Sequence, residues 1–366
     1  MARKLKSDKL LFLATLLLVS SGVVMVYSAS AVLAMDRYQQ PYFFLFKQIT
    51  WAVLGVGLLS VVMRIDYRTL KEPAVIWTAL IVSTVALMAV FFFPPVHGTR
   101  RWFNVAGVGV QPSELAKIVV ILFTAAILER RMDRIDELSY SLVPIAVVAG
   151  GTSLLILLEP DFGTALTLLL IVAAMVFAAG LNYRYLVGVA LAGLPLVYLV
   201  LASAEYRRRR LLTFLNPWDD PLGDGFQIIQ SLVAVGTGGV TGRGLMAGVQ
   251  KLFYLPEPHT DFIYAVIAEE TGLIGATIIV VGFSIITWRG FRVAVSAPDR
   301  FGAFLALGLT TMIVLQAFVN ISVVLGLMPT KGIPLPFVSA GGSSLLVSLM
   351  GMGILLNVSQ HASTEA

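Results

Sequence analysis

Ten predominantly apolar stretches follow one another along this chain, near residues 10–34, 43–63, 74–93, 114–129, 142–158, 163–181, 185–203, 262–288, 303–325 and 343–358. Most approach 20 residues, and a helix of that length rises about 30 Å, the thickness of the hydrocarbon core of a bilayer. Inside lipid every backbone N–H and C=O must be bonded within the chain, so helices are the structure such runs can adopt. The expected fold class is an all-α polytopic membrane protein with about ten transmembrane helices. Composition agrees, since 58% of the 366 residues are hydrophobic and only 13% are charged. A soluble domain carries about twice that share of charge.

Residues 1–6 resemble the basic start of a signal peptide, and Ser28-Ala29-Ser30-Ala31 resembles a cleavage site. The apolar stretch from residue 10 to 26 is long for a signal core, and many spans follow, so the segment reads as an uncleaved first helix. The net charge of +5 does not indicate nucleic acid, because Lys and Arg punctuate the apolar runs as membrane topology requires. With no cysteine, disulfides, thiolate chemistry and Cys-based metal sites are excluded.

An even number of spans puts both termini on one side. With the termini inside, the inner segments hold Arg3, Lys4, Lys6, Lys9, Arg64, Arg68, Lys71, Arg130, Arg131, Arg134, Arg184, Arg289, Arg292 and Arg300. The short outer loops hold Arg37, Arg100, Arg101 and Lys331, a count of fourteen against four. The segment 204–261 adds Arg207 to Arg210, Arg243 and Lys251 outside, but long loops escape this rule. The chain reads as one membrane domain, residues 1–366, with a large extracytoplasmic loop, 204–261, between the seventh and eighth helices. The distinctive polar motifs then share the outer face.

Gln111-Pro112-Ser113-Glu114-Leu115-Ala116-Lys117 opens the fourth span with proline in the first turn and an early acid that complements the helix dipole. Glu114 and Lys117, three apart, can meet on one face as a neutralising pair or line a polar cavity. In Glu159-Pro160-Asp161-Phe162-Gly163, Asp161 is placed to cap the sixth helix. Arg100 and Arg101 lie where topology disfavours them, and guanidinium forks match phosphate oxygens. The long loop holds Asn216-Pro217-Trp218, an apolar stretch from 226 to 235 suited to an interfacial helix, and a glycine-rich stretch from 236 to 244. That stretch lacks the ending of a P-loop. Tyr254-Leu255-Pro256-Glu257-Pro258-His259-Thr260-Asp261-Phe262 then runs into an apolar helix, leaving the Asp261 carboxylate at the lip of a span. Glu257, His259 and Asp261 could share a divalent cation with pyrophosphate oxygens. Between Lys331 and Ser343 the prolines and glycines forbid a continuous helix, so this backbone must be buried in protein or line a wet cavity.

Taken together, Arg100-Arg101-Trp102, Gln111-Pro112-Ser113-Glu114, Glu159-Pro160-Asp161-Phe162-Gly163, Phe214-Leu215-Asn216-Pro217-Trp218, Phe226-Gln227, Gln230-Ser231, residues 256–262 and residues 331–344 resemble the SEDS family (shape, elongation, division and sporulation). The match runs in order almost end to end, and its details favour the division branch over the elongation branch. Ala340 and Thr271 depart from the family pattern. The resemblance implies a ten-span glycosyltransferase that polymerises lipid II into peptidoglycan at the outer face of the bacterial cytoplasmic membrane. It also implies a class B penicillin-binding transpeptidase and other divisome proteins as partners. The family's essential loop aspartate corresponds to Asp261, and the residues equivalent to Arg101, Glu114, Lys117 and Asp161 line the same cavity.

On that reading Asp261 is the general base for a sugar hydroxyl, and Arg101, Lys117 or a divalent cation (Mg²⁺ or Mn²⁺, with Asp261 and Glu257 as candidate ligands) stabilises the departing pyrophosphate. Glu257, His259, Lys331 and Ser343 complete the expected cavity. No organic cofactor is expected. The competing expectations are a lipid II flippase, which ten spans with intramembrane charges would also suit, an elongation-type polymerase, and a non-catalytic scaffold.

Overall fold

The computed structural model describes residues 7–95, 99–105, 108–134, 137–202, 209, 212–223, 225–330 and 332–362. Each of the ten apolar runs falls largely within one helix. The helices are α1 (Lys9–Tyr38), α2 (Phe43–Val62), α3 (Pro73–Ala89), α4 (Pro112–Arg131), α5 (Leu138–Leu158), α6 (Phe162–Ala178) and α7 (Tyr183–Ala202). They continue with α8 (Phe226–Gly238) inside the long loop, then α9 (Ile263–Ser296), α10 (Arg300–Val324) and α11 (Gly342–His361). Among the described residues seven helices are long and apolar enough to cross a membrane: α1, α2, α3 with its following turn, α5, α9, α10 and α11. The protein is a multi-pass membrane protein. α4 carries Glu114 and Lys117 near one end and Glu129, Arg130 and Arg131 at the other, which sets it apart from those seven.

Local chemistry starts these helices where the sequence suggests. Asp8 accepts hydrogen bonds from Leu10 and Leu11 N–H, and Asp299 from Gly302 N–H, while Pro73 and Pro112 occupy first turns. α11 is 83% buried over its most apolar stretch and α10 61%, against 22% for α2. The centre of the bundle is therefore α10 and α11 together with α4, which is buried at nearly every position from Pro112 to Leu128, and the other helices present exposed Leu, Val, Ile and aromatic side chains outward, as lipid-facing surfaces do. A short antiparallel hairpin, β1 (Phe103–Val105) and β2 (Val108–Val110), pairs Phe103 with Val110 between α3 and α4.

Two irregularities shape the end of the bundle that holds the motifs. The first interrupts α9 at Gly272, with φ 66° and ψ −164°, a region a side chain rarely adopts. The break orphans backbone groups, and the glycine-rich stretch satisfies them: Leu273 and Ile274 N–H donate to Gly239 and Val240 C=O (2.9 and 3.2 Å), while Arg243 and Gly244 N–H donate to Glu269 and Glu270 C=O (3.0 and 2.9 Å). A Cβ on Gly272 would lie 2.3 Å from the Gly242 nitrogen, so this approach requires glycine. The eighth apolar run is thus a nine-residue helix followed by a span, and α8 is not a free interfacial helix. Its Ile228, Ile229, Ser231 and Ala234 are buried, and Ser231 Oγ donates to Val324 C=O on α10 (2.7 Å).

The second irregularity is the segment from residue 332 to 341, which carries no regular structure and is largely buried at Ile333, Leu335, Phe337, Val338 and Ser339. It passes against Gly22, where a Cβ would sit 2.6 Å from Phe337 O. Gly22 lies thirteen residues into α1, about 20 Å along that helix. The segment therefore dips into the bundle, and protein covers its backbone as membrane depth demands.

Candidate active site

The chain from His259 to Asp261 is stitched to the dipping segment. Ala340 N–H donates to His259 C=O (2.9 Å), Ser339 Oγ donates to Thr260 C=O (2.6 Å), and Leu335 N–H donates to Ser339 Oγ (2.8 Å). Asn320 on α10 donates to both Asp261 C=O (2.8 Å) and Ile333 C=O (2.7 Å). These bonds fix the backbone of Asp261 and leave its half-buried carboxylate beside Gly332, where a Cβ would stand 2.8 Å from Oδ2. The rest of the long loop is anchored by two buried acids on α9. Glu270 accepts from Lys251 Nζ (2.6 Å), Ser28 Oγ (2.7 Å) and Met246 N–H (3.0 Å), and Glu269 from Val249 N–H (2.8 Å).

On α4, Lys117 Nζ lies 2.7 Å from Glu114 Oε1, and both side chains are almost wholly shielded. A third group surrounds the turn between α5 and α6. Arg101 donates to the carbonyls of Glu159 (2.9 Å) and Pro160, and its Nη1 lies 3.9 Å from Asp161 Oδ2. Asp161 caps α6 through Thr164 N–H (3.1 Å) and accepts from Thr164 Oγ1 (2.8 Å) and Gln111 Nε2 (3.4 Å). Gln111 also ties this group to the first turn of α11, just after the dipping segment, since its N–H lies 3.4 Å from Ser343 Oγ.

The expected site residues therefore fall at one end of the bundle, with Arg101 joined to Asp161, Glu114 to Lys117, and Ser343 to Gln111. Lys331 lies outside the described residues. The expected sharing of a cation by Glu257, His259 and Asp261 needs correction. The buried His259 ring packs on Phe44 at 4.7 Å, Glu257 is exposed, and the described residues hold no group of three His, Cys, Asp or Glu able to bind a metal ion. Burial holds the imidazole below its usual pKa, so His259 is the neutral partner of an aromatic ring. Asp261 and Glu257 are then the carboxylates left for Mg²⁺ or Mn²⁺, and substrate phosphates would have to complete the shell. Asn320 and Ser339 were not singled out from sequence, although Asn320 is a polar residue within an apolar run, which is a signal in itself.

Cavity size alone does not mark this site. A cavity of about 570 Å³ opens at the opposite end, lined by Arg64, Asp66, Asn357 and His361 among others. Asn357 there is already bonded to Tyr67 N–H and Met63 C=O. A groove of about 260 Å³ with an almost wholly apolar lining lies between α2, α3, α4 and α11.

Fold and site together define a multi-pass membrane protein with a buried polar apparatus at one end of its helical bundle. Comparison with known proteins identifies the class. The profile of the FtsW/RodA/SpoVE cell cycle proteins matches residues 8–364, and the chain belongs to this family. It is 46% identical to a Geobacter sulfurreducens protein named "Probable peptidoglycan glycosyltransferase FtsW", over 96% of this chain and 95% of the relative. It is 43% identical to the stage V sporulation protein E of Bacillus subtilis, over 98% and 99%. Among solved structures, a chain from a study of polymerization and crosslinking by a peptidoglycan synthase complex superimposes with a TM-score of 0.80 at 32% identity, covering 97% of this chain and 98% of that one. The rod-shape-determining protein RodA of Thermus thermophilus superimposes at 0.73 with 26% identity, covering 99% of each.

Proposed function

We propose that this protein is a peptidoglycan glycosyltransferase that polymerises lipid II at the outer face of the cytoplasmic membrane, for septal wall synthesis in division. The observation that carries this reading is the seat of Asp261: a carboxylate whose backbone is fixed by Asn320 to a buried, non-helical segment, in the same end of the bundle as Arg101 and Lys117. Family membership and the names of the relatives support the reaction, and the division-type relative supports the septal role. The excess of Lys and Arg at the opposite end supports cytoplasmic termini and an extracytoplasmic site.

The reaction joins the 4-hydroxyl of a GlcNAc on one lipid II to the anomeric carbon of a second chain. Asp261 takes the hydroxyl proton while the new C–O bond forms and the bond to pyrophosphate breaks, and undecaprenyl diphosphate leaves. Arg101 and Lys117 provide positive charge toward the leaving group. Glu257, exposed on the same loop, and Ser343, beside Gln111, border the substrate space. A divalent cation would be held by Asp261 and pyrophosphate oxygens and would neutralise the leaving charge. The partners are a class B penicillin-binding transpeptidase and other divisome proteins, a reading supported by the similarity to a synthase complex.

The test is reconstitution of the purified chain with its transpeptidase and labelled lipid II, with and without Mg²⁺ or Mn²⁺. Glycan polymer and undecaprenyl diphosphate are the expected products. Transbilayer movement of lipid II in liposomes with no polymer would instead make the protein a flippase.

A further inference from the structure

Glu159 ends α5 in the turn that Arg101 clamps, and nothing in the transfer reaction described above uses its side chain. It has no solvent exposure, and among the described residues neither carboxylate oxygen has a hydrogen-bond partner. Its neighbour contrasts with it, because Asp161 is bonded to Thr164, Gln111 and Arg101. Arg101 meanwhile binds the backbone carbonyl of Glu159, not its carboxylate. A buried anion without a partner costs several kcal/mol, and such a group takes up a proton instead. The charged groups facing Glu159 are Asp161, from its own turn, and Arg101, from the segment before β1. Glu114 and Lys117 on α4 are paired with each other. Burial first, and then the Asp161 charge, push the Glu159 carboxyl up to about 8, with Arg101 opposing.

We propose that Glu159 is a positioning residue that works as a neutral carboxylic acid, and that its ionisation draws the Arg101 guanidinium away from Asp161 and the turn carbonyls and so slows glycosyl transfer. While neutral, the side chain makes no claim on the guanidinium, which stays on the two carbonyls and beside Asp161. Once ionised, it is a buried anion that acts on the Arg101 guanidinium, a cation with five donors. This inference rests on the glycosyltransferase reading of the site.

The experiment compares wild type with Glu159→Gln, an isostere of the protonated acid that cannot ionise, in the full chain with its transpeptidase and lipid II at pH 7 and pH 9. With a carboxyl titrating at about 8, the neutral fraction falls about tenfold between these pH values. The variant should match wild type within about twofold at pH 7, and the variant-to-wild-type rate ratio should rise about tenfold by pH 9. A ratio that does not change with pH overturns the proposal, as does a Gln variant that is inactive at pH 7 with an unchanged melting temperature. A readout independent of the variant is the infrared C=O band of a protonated carboxyl in wild type, expected at neutral pH and lost on alkalinisation, and its absence at pH 7 also overturns the proposal. Failure of wild type to polymerise at any pH would contradict the glycosyltransferase reading itself, whereas normal polymerisation with a constant ratio removes this inference alone.

Discussion

Lys117 and Glu114 show how tightly polar residues in this bundle must be partnered. Their side chains are 1% and 5% exposed at a separation of 2.7 Å, so each ion is deprived of water and compensated by the other. Removing one member of a buried pair leaves a charge stranded and typically costs about 3–5 kcal/mol. Lys117→Met is therefore expected to lose roughly that much stability in detergent melting. The double variant Glu114→Gln/Lys117→Met should recover most of it, because the stranded acid is gone. Lipid II polymerisation should stay low in both, since the cation near the leaving group is missing in each. Recovery of activity along with stability in the double variant would reduce the pair to a structural role. A pH argument applies at Glu159, whose carboxyl is raised by burial. Its contribution to stability is present below the ordinary glutamate range and is lost as pH rises to about 8.

Among the elements, those dictated by local rules were legible in the sequence. The apolar runs placed ten helices to within a few residues at most ends, and the capping role of Asp161 was legible because an acid directly before a helix start can accept from the free N–H groups of the first turn. The lack of helix between residues 332 and 341 followed from its prolines and glycines, while the choice between a buried segment and the wall of a wet cavity did not. Contacts distant in sequence were not legible. The break in α9 at Gly272 lies within an otherwise continuous apolar pattern, and its partner, the glycine-rich stretch near Gly242, is 30 residues away in sequence. Asn320 likewise reads as one polar residue in α10 until the fold brings Asp261 and Ile333 to it. His259 misled for a related reason: its closeness to Asp261 in sequence suggested a shared ligand, whereas Phe44 on another helix takes up its ring.

At the scale of the whole molecule, ionic pairs at the two ends hold different things. Asp8 with Arg289 and Asp133 with Arg300 link helix ends far from the motifs, while Arg101, Lys117 and Lys251 are paired within the motif-bearing end. The proposed orientation puts the first set in the cytoplasm. Because the chain has no cysteine, introduced cysteines report on it directly. In right-side-out vesicles a membrane-impermeant maleimide should label Glu257→Cys, exposed on the long loop, and leave Asp133→Cys unlabelled until the membrane is opened. The reverse pattern would invert the topology and remove the site from the outer face.

In the proposed reaction the Asp261 carboxylate, on a backbone held to the buried segment through Asn320 and the neighbouring Thr260–Ser339 bond, is the base for glycosyl transfer. The most direct test of that role is the initial rate of lipid II polymerisation by Asp261→Asn beside wild type, each purified with the transpeptidase partner and shown to melt alike. An amide of the same shape keeps the seat and removes the base, and general-base catalysis contributes about 10²–10⁴-fold. A rate lower by about that factor is expected, and glycan synthesis by the variant within about twofold of wild type would rule out Asp261 as the base.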